Sequence, residues 1–122
     1  MYTQRRALVE AKALWLEMAV MGYGTKKEYF KKTGAERRYI NDCPLCEFYV
    51  KGRSGKPTEC WGCPFQEFGA VRGCMKRNSP YFRWSANARL NRAKGRSYYA
   101  WKVYNFLAKA YRGRYRGKGG NI

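Results

Sequence analysis

Over the first twenty positions apolar residues recur at steps of three and four, at Ala7, Leu8, Ala11, Leu14, Trp15 and Met18. That is the spacing of one buried helical face. Thr3 stands where an N-cap is wanted, and Gly22 and Gly24 end the pattern. Thr25 and Glu28 form a capping-box pair that opens a short helix through Lys32, which Gly34 closes, and Ala35 to Ile40 add one more turn. Past a cysteine-containing middle, Ser79 followed by Pro80 predicts a third helix, since serine caps and proline fits the first helical position. Phe82, Ala86, Leu90 and Ala93 are its expected buried face. Gly95 is expected to interrupt, with Ser97 capping again. A last helix then runs from about Tyr98 to Arg112, with Trp101, Tyr104, Ala108 and Tyr111 on one apolar face that Val103, Phe106, Leu107 and Ala110 widen. Lys102, Asn105, Lys109 and Arg112 are left as a narrow polar stripe.

The middle segment follows different rules. Glu47 to Val50 reads as a short strand, and Lys51 to Pro57, with two glycines and a proline, reads as the turn that brings the chain back. Two Cys-x-x-Cys pairs, Cys43-Pro-Leu-Cys46 and Cys60-Trp-Gly-Cys63, flank this hairpin with thirteen residues between them. Each pair can offer two thiolates from one tight turn, and two such turns face to face form the tetrahedral sulfur cage that Zn²⁺ accepts. Structural zinc on Cys43, Cys46, Cys60 and Cys63 is the expected cofactor. Iron fits the same cage, because thiolate coordination does not separate the two metals. Cys74 is the spare thiol, and the alternative ligand set has it replacing one of the four. The fold class that results is mainly α with a small zinc-pinned β-hairpin, with helices on both sides of a four-cysteine zinc-knuckle module. A single compact domain is expected over 1–111: N-terminal helices in 3–40, the zinc module in 41–74 and C-terminal helices in 79–111. The stretch 112–122, with four glycines among its charges, reads as a flexible basic tail.

Charge changes the picture more than length does. The 122 residues carry 26 Lys and Arg against 8 Asp and Glu, a formal charge of +18. Thirteen of the cations, from Lys76 to Lys118, lie in residues 75–122, where no acid stands against them. Such a segment repels itself, and a polyanion relieves it most directly. Nucleic acid is the expected partner, with Arg83, Arg89, Arg92, Lys94, Arg96, Lys102, Lys109, Arg112, Arg114, Arg116 and Lys118 as phosphate contacts. Tyr115, set among Arg112, Arg114 and Arg116, adds a ring that can stack on an unpaired base, which tilts the expectation towards RNA or single strands.

Catalysis is not expected. The chain has no histidine, which removes the thiolate–imidazole pair, the His-ligated catalytic zinc and the commonest general base. Its acids show no paired spacing, and a closed site of four thiolates leaves no position for a substrate water. No apolar run approaches the roughly 18 residues that span a bilayer, and Met1 to Ala11 lacks the apolar core of a signal peptide, so a cytoplasmic location is expected, without membrane or small-molecule substrate.

The Cys43-Pro-Leu-Cys46 turn resembles the knuckle of zinc ribbons and rubredoxins. Asn41-Asp42-Cys43-Pro44-Leu45-Cys46-Glu47, with the second Cys-x-x-Cys-Pro and helices on both sides, resembles the small four-cysteine zinc-knuckle proteins that tailed bacteriophages encode. That resemblance implies a viral protein acting on a host or phage nucleic-acid system in the host cytoplasm, and it implies no fixed activity. Two functions are therefore weighed: a module that coats, bridges or positions RNA or DNA, within a ribonucleoprotein or host complex, and a small viral inhibitor that docks on a host nucleic-acid enzyme or defence complex.

Overall fold

The computed structural model describes residues 3–23, 25–33, 63–68 and 73–115. The molecule is mainly α, with four α-helices and no strand among the described residues. The hairpin expected over 47–57 lies outside them, as do Cys43, Cys46 and Cys60. No described helix is long and apolar enough to cross a membrane.

Helix α1 spans Gln4–Met21. The Thr3 hydroxyl accepts from the Arg6 backbone N–H at 3.1 Å, and Gly22, left-handed at φ 68°, returns its N–H to the Met18 carbonyl. Cap and stop are those the sequence offers. Helix α2, Lys26–Thr33, opens on the expected Thr25 and Glu28. The Glu28 N–H donates to Thr25 Oγ1 at 3.3 Å, and the Thr25 hydroxyl donates to the Glu28 carboxylate at 3.5 Å. Lys26, a buried lysine, ties α2 to the rest: its ammonium donates to the Tyr81 hydroxyl and lies 4.6 Å from the centre of that ring. On the outer side of α2, the Tyr23 side chain, with Glu17 behind it, holds the Lys32 ammonium above its ordinary pKa.

Two short 3₁₀ turns, Pro64–Phe68 and Gly73–Met75, pack on each other. Helix α3, Pro80–Arg89, starts on Ser79, which is fully buried and whose Oγ accepts from the Tyr81 N–H at 3.2 Å. It ends in a Schellman arrangement with asparagine in the glycine position: Asn91 is left-handed at φ 53°, its N–H meets the Ala88 carbonyl at 3.1 Å, and the Arg92 N–H reaches Asn87 O at 2.9 Å.

Helix α4, Ala93–Tyr115, is longer at both ends than the sequence predicts. It passes through Gly95 without interruption and holds Ser97 inside the helix, not at a cap. The glycine serves packing: a Cβ at position 95 would sit 2.0 Å from Asn87 Oδ1 and 2.5 Å from its Cγ, so glycine is what lets the Asn87 side chain of α3 lie against α4 in this position. At the other end Arg112 to Tyr115 are helical, which carries α4 four residues into the stretch read as tail.

Helices α1 and α4 run antiparallel. The Tyr115 hydroxyl donates to Gln4 Oε1 at 2.9 Å at one end, and Arg96 Nη2 reaches the Gly22 carbonyl at 3.4 Å at the other. Between these ties lies the core, formed by Ala7, Leu8, Ala11, Leu14, Trp15, Met18 and Ala19 of α1 against Ala100, Val103, Leu107 and Tyr111 of α4. The six α1 positions predicted as buried are all buried. Helix α3 behaves otherwise: Phe82 and Ala86 are half-buried, Leu90 and Ala93 are exposed, and Trp84 is the buried residue. A ten-residue helix has little periodicity of its own to impose. Its rotation is set by Trp84 meeting Trp15 edge-on, ring centres 4.9 Å apart at 87°, and by Tyr81 against the same indole at 5.4 Å.

Candidate nucleic-acid interface

At 100° per residue, Lys94, Tyr98, Trp101, Lys102, Asn105, Lys109 and Arg112 fall within an arc of about 100° on α4. All seven are exposed. The face is continuous over about 27 Å, the rise of the eighteen residue steps from Lys94 to Arg112. Among the described residues none of its four cations makes an ion pair. Lys102 lies 5.2 Å from the Tyr98 ring centre, and Trp101 meets Tyr104 edge-on at 5.9 Å.

Two of these residues escape sequence reasoning. Trp101, expected in the core, is 41% exposed, and Tyr98, expected to begin the helix, is 54% exposed. Helical phase separates them from the core: Ala100, Val103, Leu107 and Tyr111 take the inward arc, and Trp101 stands nearly opposite Val103. The small Ala100 and Ala108 are buried in place of the larger ring because α1 and α4 approach closely along their length. Exposed aromatics on an otherwise cationic strip were the available signal. The apolar count of the helix hid it.

The other predicted contacts divide into three groups. Arg83 and Arg89 on α3 and Arg92 in the following turn are exposed. Arg83 flanks the junction with α4, where a notch of about 230 Å³ is lined by Arg77, Phe82, Arg83, Ala86, Asn87 and Tyr99. The second group is used internally. Arg96 is half-buried, with Nη1 donating to Asn91 Oδ1 at 2.7 Å and Nη2 to Gly22 O, so its guanidinium joins the end of α1 to the α3–α4 turn. Tyr115, expected to be free in a tail, is half-buried and helical. Arg5 lies 5.6 Å from its ring centre, and the Tyr111 ring packs on it at 5.1 Å, tilted by 45°. Arg114 is half-buried beside Pro64 and Glu67, where with Lys109 and Phe106 it borders a second open concavity of about 290 Å³. The third group, Arg116 and Lys118, lies outside the described residues.

Of the four expected metal ligands only Cys63 is described. It is half-buried, directly before the Pro64–Phe68 turn, and that turn is anchored by Phe65, which is 3% exposed and packs on Phe106 at 5.1 Å and Tyr81 at 6.1 Å. Cys74, also half-buried, lies in the neighbouring 3₁₀ turn. Among the described residues no three Cys, Asp or Glu side chains gather. Proximity of the two turns leaves both ligand sets open, the one with Cys74 as spare and the one with Cys74 as ligand.

No protein-family model, no curated protein and no solved structure matches this chain.

Proposed function

We propose that this chain is a non-enzymatic nucleic-acid-binding protein, stabilised by zinc on Cys43, Cys46, Cys60 and Cys63, that holds RNA or single strands in preference to duplex DNA. The observation that carries the reading is the outer face of α4. Four cations without an ion pair among the described residues share that face with two exposed rings, in a segment that has no acid. Cations at this spacing neutralise phosphates without reading sequence, and rings that protrude among them offer stacking to bases that a duplex keeps paired. Closely set Lys and Arg repel one another in the isolated protein, and a phosphate backbone removes that cost.

A salt series tests it. On a single strand each engaged phosphate contributes about −0.7 to the slope of log affinity against log salt, so four contacts along α4 give roughly −3. Filter binding should show that slope for the full chain. Lys102→Ala/Lys109→Ala should make it shallower by about 1.4. Removal of 116–122, which takes Arg116 and Lys118 and spares α4, should act in the same sense. A slope near zero in the full chain overturns the proposal.

One observation favours the second reading, a small viral inhibitor docking on a host protein. Helix α1 is apolar on two sides: opposite its core face, Val9, Ala13, Leu16 and Val20 form an exposed stripe, Val20 being 63% exposed. In the salt series, a flat response together with retention of one host protein after nuclease treatment would put that reading ahead.

A further inference from the structure

The notch between α3 and α4 is not accounted for by the face of α4. Its floor is apolar and half-buried, made by Phe82 and Ala86 of α3 and Tyr99 of α4. Arg77 and Arg83 stand exposed at its rim. Neither guanidinium is bound by another described side chain, and among the described residues no carboxylate lines the space. One wall is fixed: Asn87 Nδ2 donates to the Arg83 carbonyl at 2.8 Å, and the same side chain is wedged against Gly95. The notch adjoins the cationic face through Tyr98, whose ring meets that of Tyr99 edge-on at 4.9 Å.

We infer that this notch receives a single unpaired nucleotide of a bound strand, its base against Phe82 and Tyr99 and its flanking phosphates against Arg77 and Arg83. The inference rests on the nucleic-acid reading above and adds to it a subsite. Size supports one nucleotide and no more, since about 230 Å³ is below the roughly 300–1,000 Å³ of pockets that enclose drug-sized ligands. Chemistry supports a nucleotide over a bare anion. Two arginines alone would serve any phosphate, whereas an apolar aromatic floor between them is matched by a flat base whose sugar carries a phosphate on either side. A base held in a duplex cannot enter without unpairing, at a cost of a few kcal/mol, so the notch is a source of preference for single strands.

Three full-length proteins separate the outcomes: wild type, Arg77→Gln/Arg83→Gln, and Lys27→Gln/Lys31→Gln as a control that removes equal charge from the exposed side of α2. Binding to a short oligouridylate and to a duplex of the same length should show the notch variant losing at least about fivefold on the single strand, because two phosphate contacts go and the nucleotide they hold over Phe82 and Tyr99 is released with them, with a much smaller loss on the duplex. The α2 control should lose little on either. Nuclear magnetic resonance with labelled full-length protein adds a direct readout: adenosine monophosphate should move the Asn87 and Tyr99 signals, and inorganic phosphate should not. Equal losses on single strand and duplex, or losses matched by the α2 control, would mean that Arg77 and Arg83 contribute only to the general field, and the subsite would be wrong while the wider reading stood. Shifts of equal size with inorganic phosphate would reduce the notch to an anion site. A wild-type protein that binds neither strand would remove both proposals.

Discussion

A methyl group added at position 95 would land 2.0 Å from Asn87 Oδ1, so the fate of Gly95→Ala depends on a side chain in another helix. Two effects oppose each other. Replacing glycine by alanine inside a helix gains up to about 1 kcal/mol. Displacing Asn87 costs its bond to the Arg83 carbonyl, about 1 kcal/mol, together with the repacking of the α3–α4 contact. Gly95→Ala should therefore be neutral to destabilising in the wild type and stabilising by several tenths of a kcal/mol once Asn87→Ala has vacated the space. A double-mutant cycle by urea unfolding should give a coupling energy of about 1 kcal/mol or more, and additivity would show that α3 and α4 do not meet closely there. Position 95 also marks a limit of sequence reading. Glycine in a helical pattern signals either a break or a close approach, and only the partner helix decides which.

Between elements the same limit appears as phase. The α1 face was legible at six of its seven buried positions, Ala19 being the one not read, because those six recur at steps of three and four and the caps, Thr3 and Gly22, agree with them. The capping box at Thr25 and the N-cap at Ser79 were legible because they are local. Helix α4 was not, since aromatic and aliphatic residues nearly encircle it and only its packing against α1 selects Ala100, Val103, Leu107 and Tyr111 as the inward row. Trp101 and Trp84 separate the two assignments. Trp101→Ala removes an exposed ring and should cost less than about 1 kcal/mol of stability, while lowering single-strand affinity several-fold by loss of one stacking surface. Trp84→Ala empties the space against Trp15 and Tyr81 and should cost about 3–5 kcal/mol. Denaturant unfolding of the two variants reads the difference directly, and a large stability loss for Trp101→Ala would restore it to the core and weaken the α4 interface.

At the scale of the molecule the question is how the cysteine module and the helical body depend on each other. Among the described residues the buried core draws all but one of its members from the four helices, and Phe65, two residues past Cys63, is that one. The body therefore has a hydrophobic core of its own, unlike small zinc domains that unfold when the metal leaves. Under the proposed zinc site, loss of metal should free the Pro64–Phe68 turn and expose Phe65, forfeiting about 1.5–3 kcal/mol of burial, which lowers the thermal midpoint by roughly 5 to 15 °C. Helical circular dichroism should persist below that midpoint. Cys60→Ser should reproduce this state, with no metal by native mass spectrometry, and chelator should add nothing further to it. Cys74→Ser distinguishes the two ligand sets. With Cys43, Cys46, Cys60 and Cys63 as ligands it should keep one metal and a near wild-type midpoint. Metal loss equal to that of Cys60→Ser would make Cys74 a ligand, consistent with its place on the 3₁₀ turn packed against the one that follows Cys63. A wild-type chain that holds no metal, with a midpoint indifferent to chelator, would remove the zinc site and leave the helical body and its cationic face to stand alone.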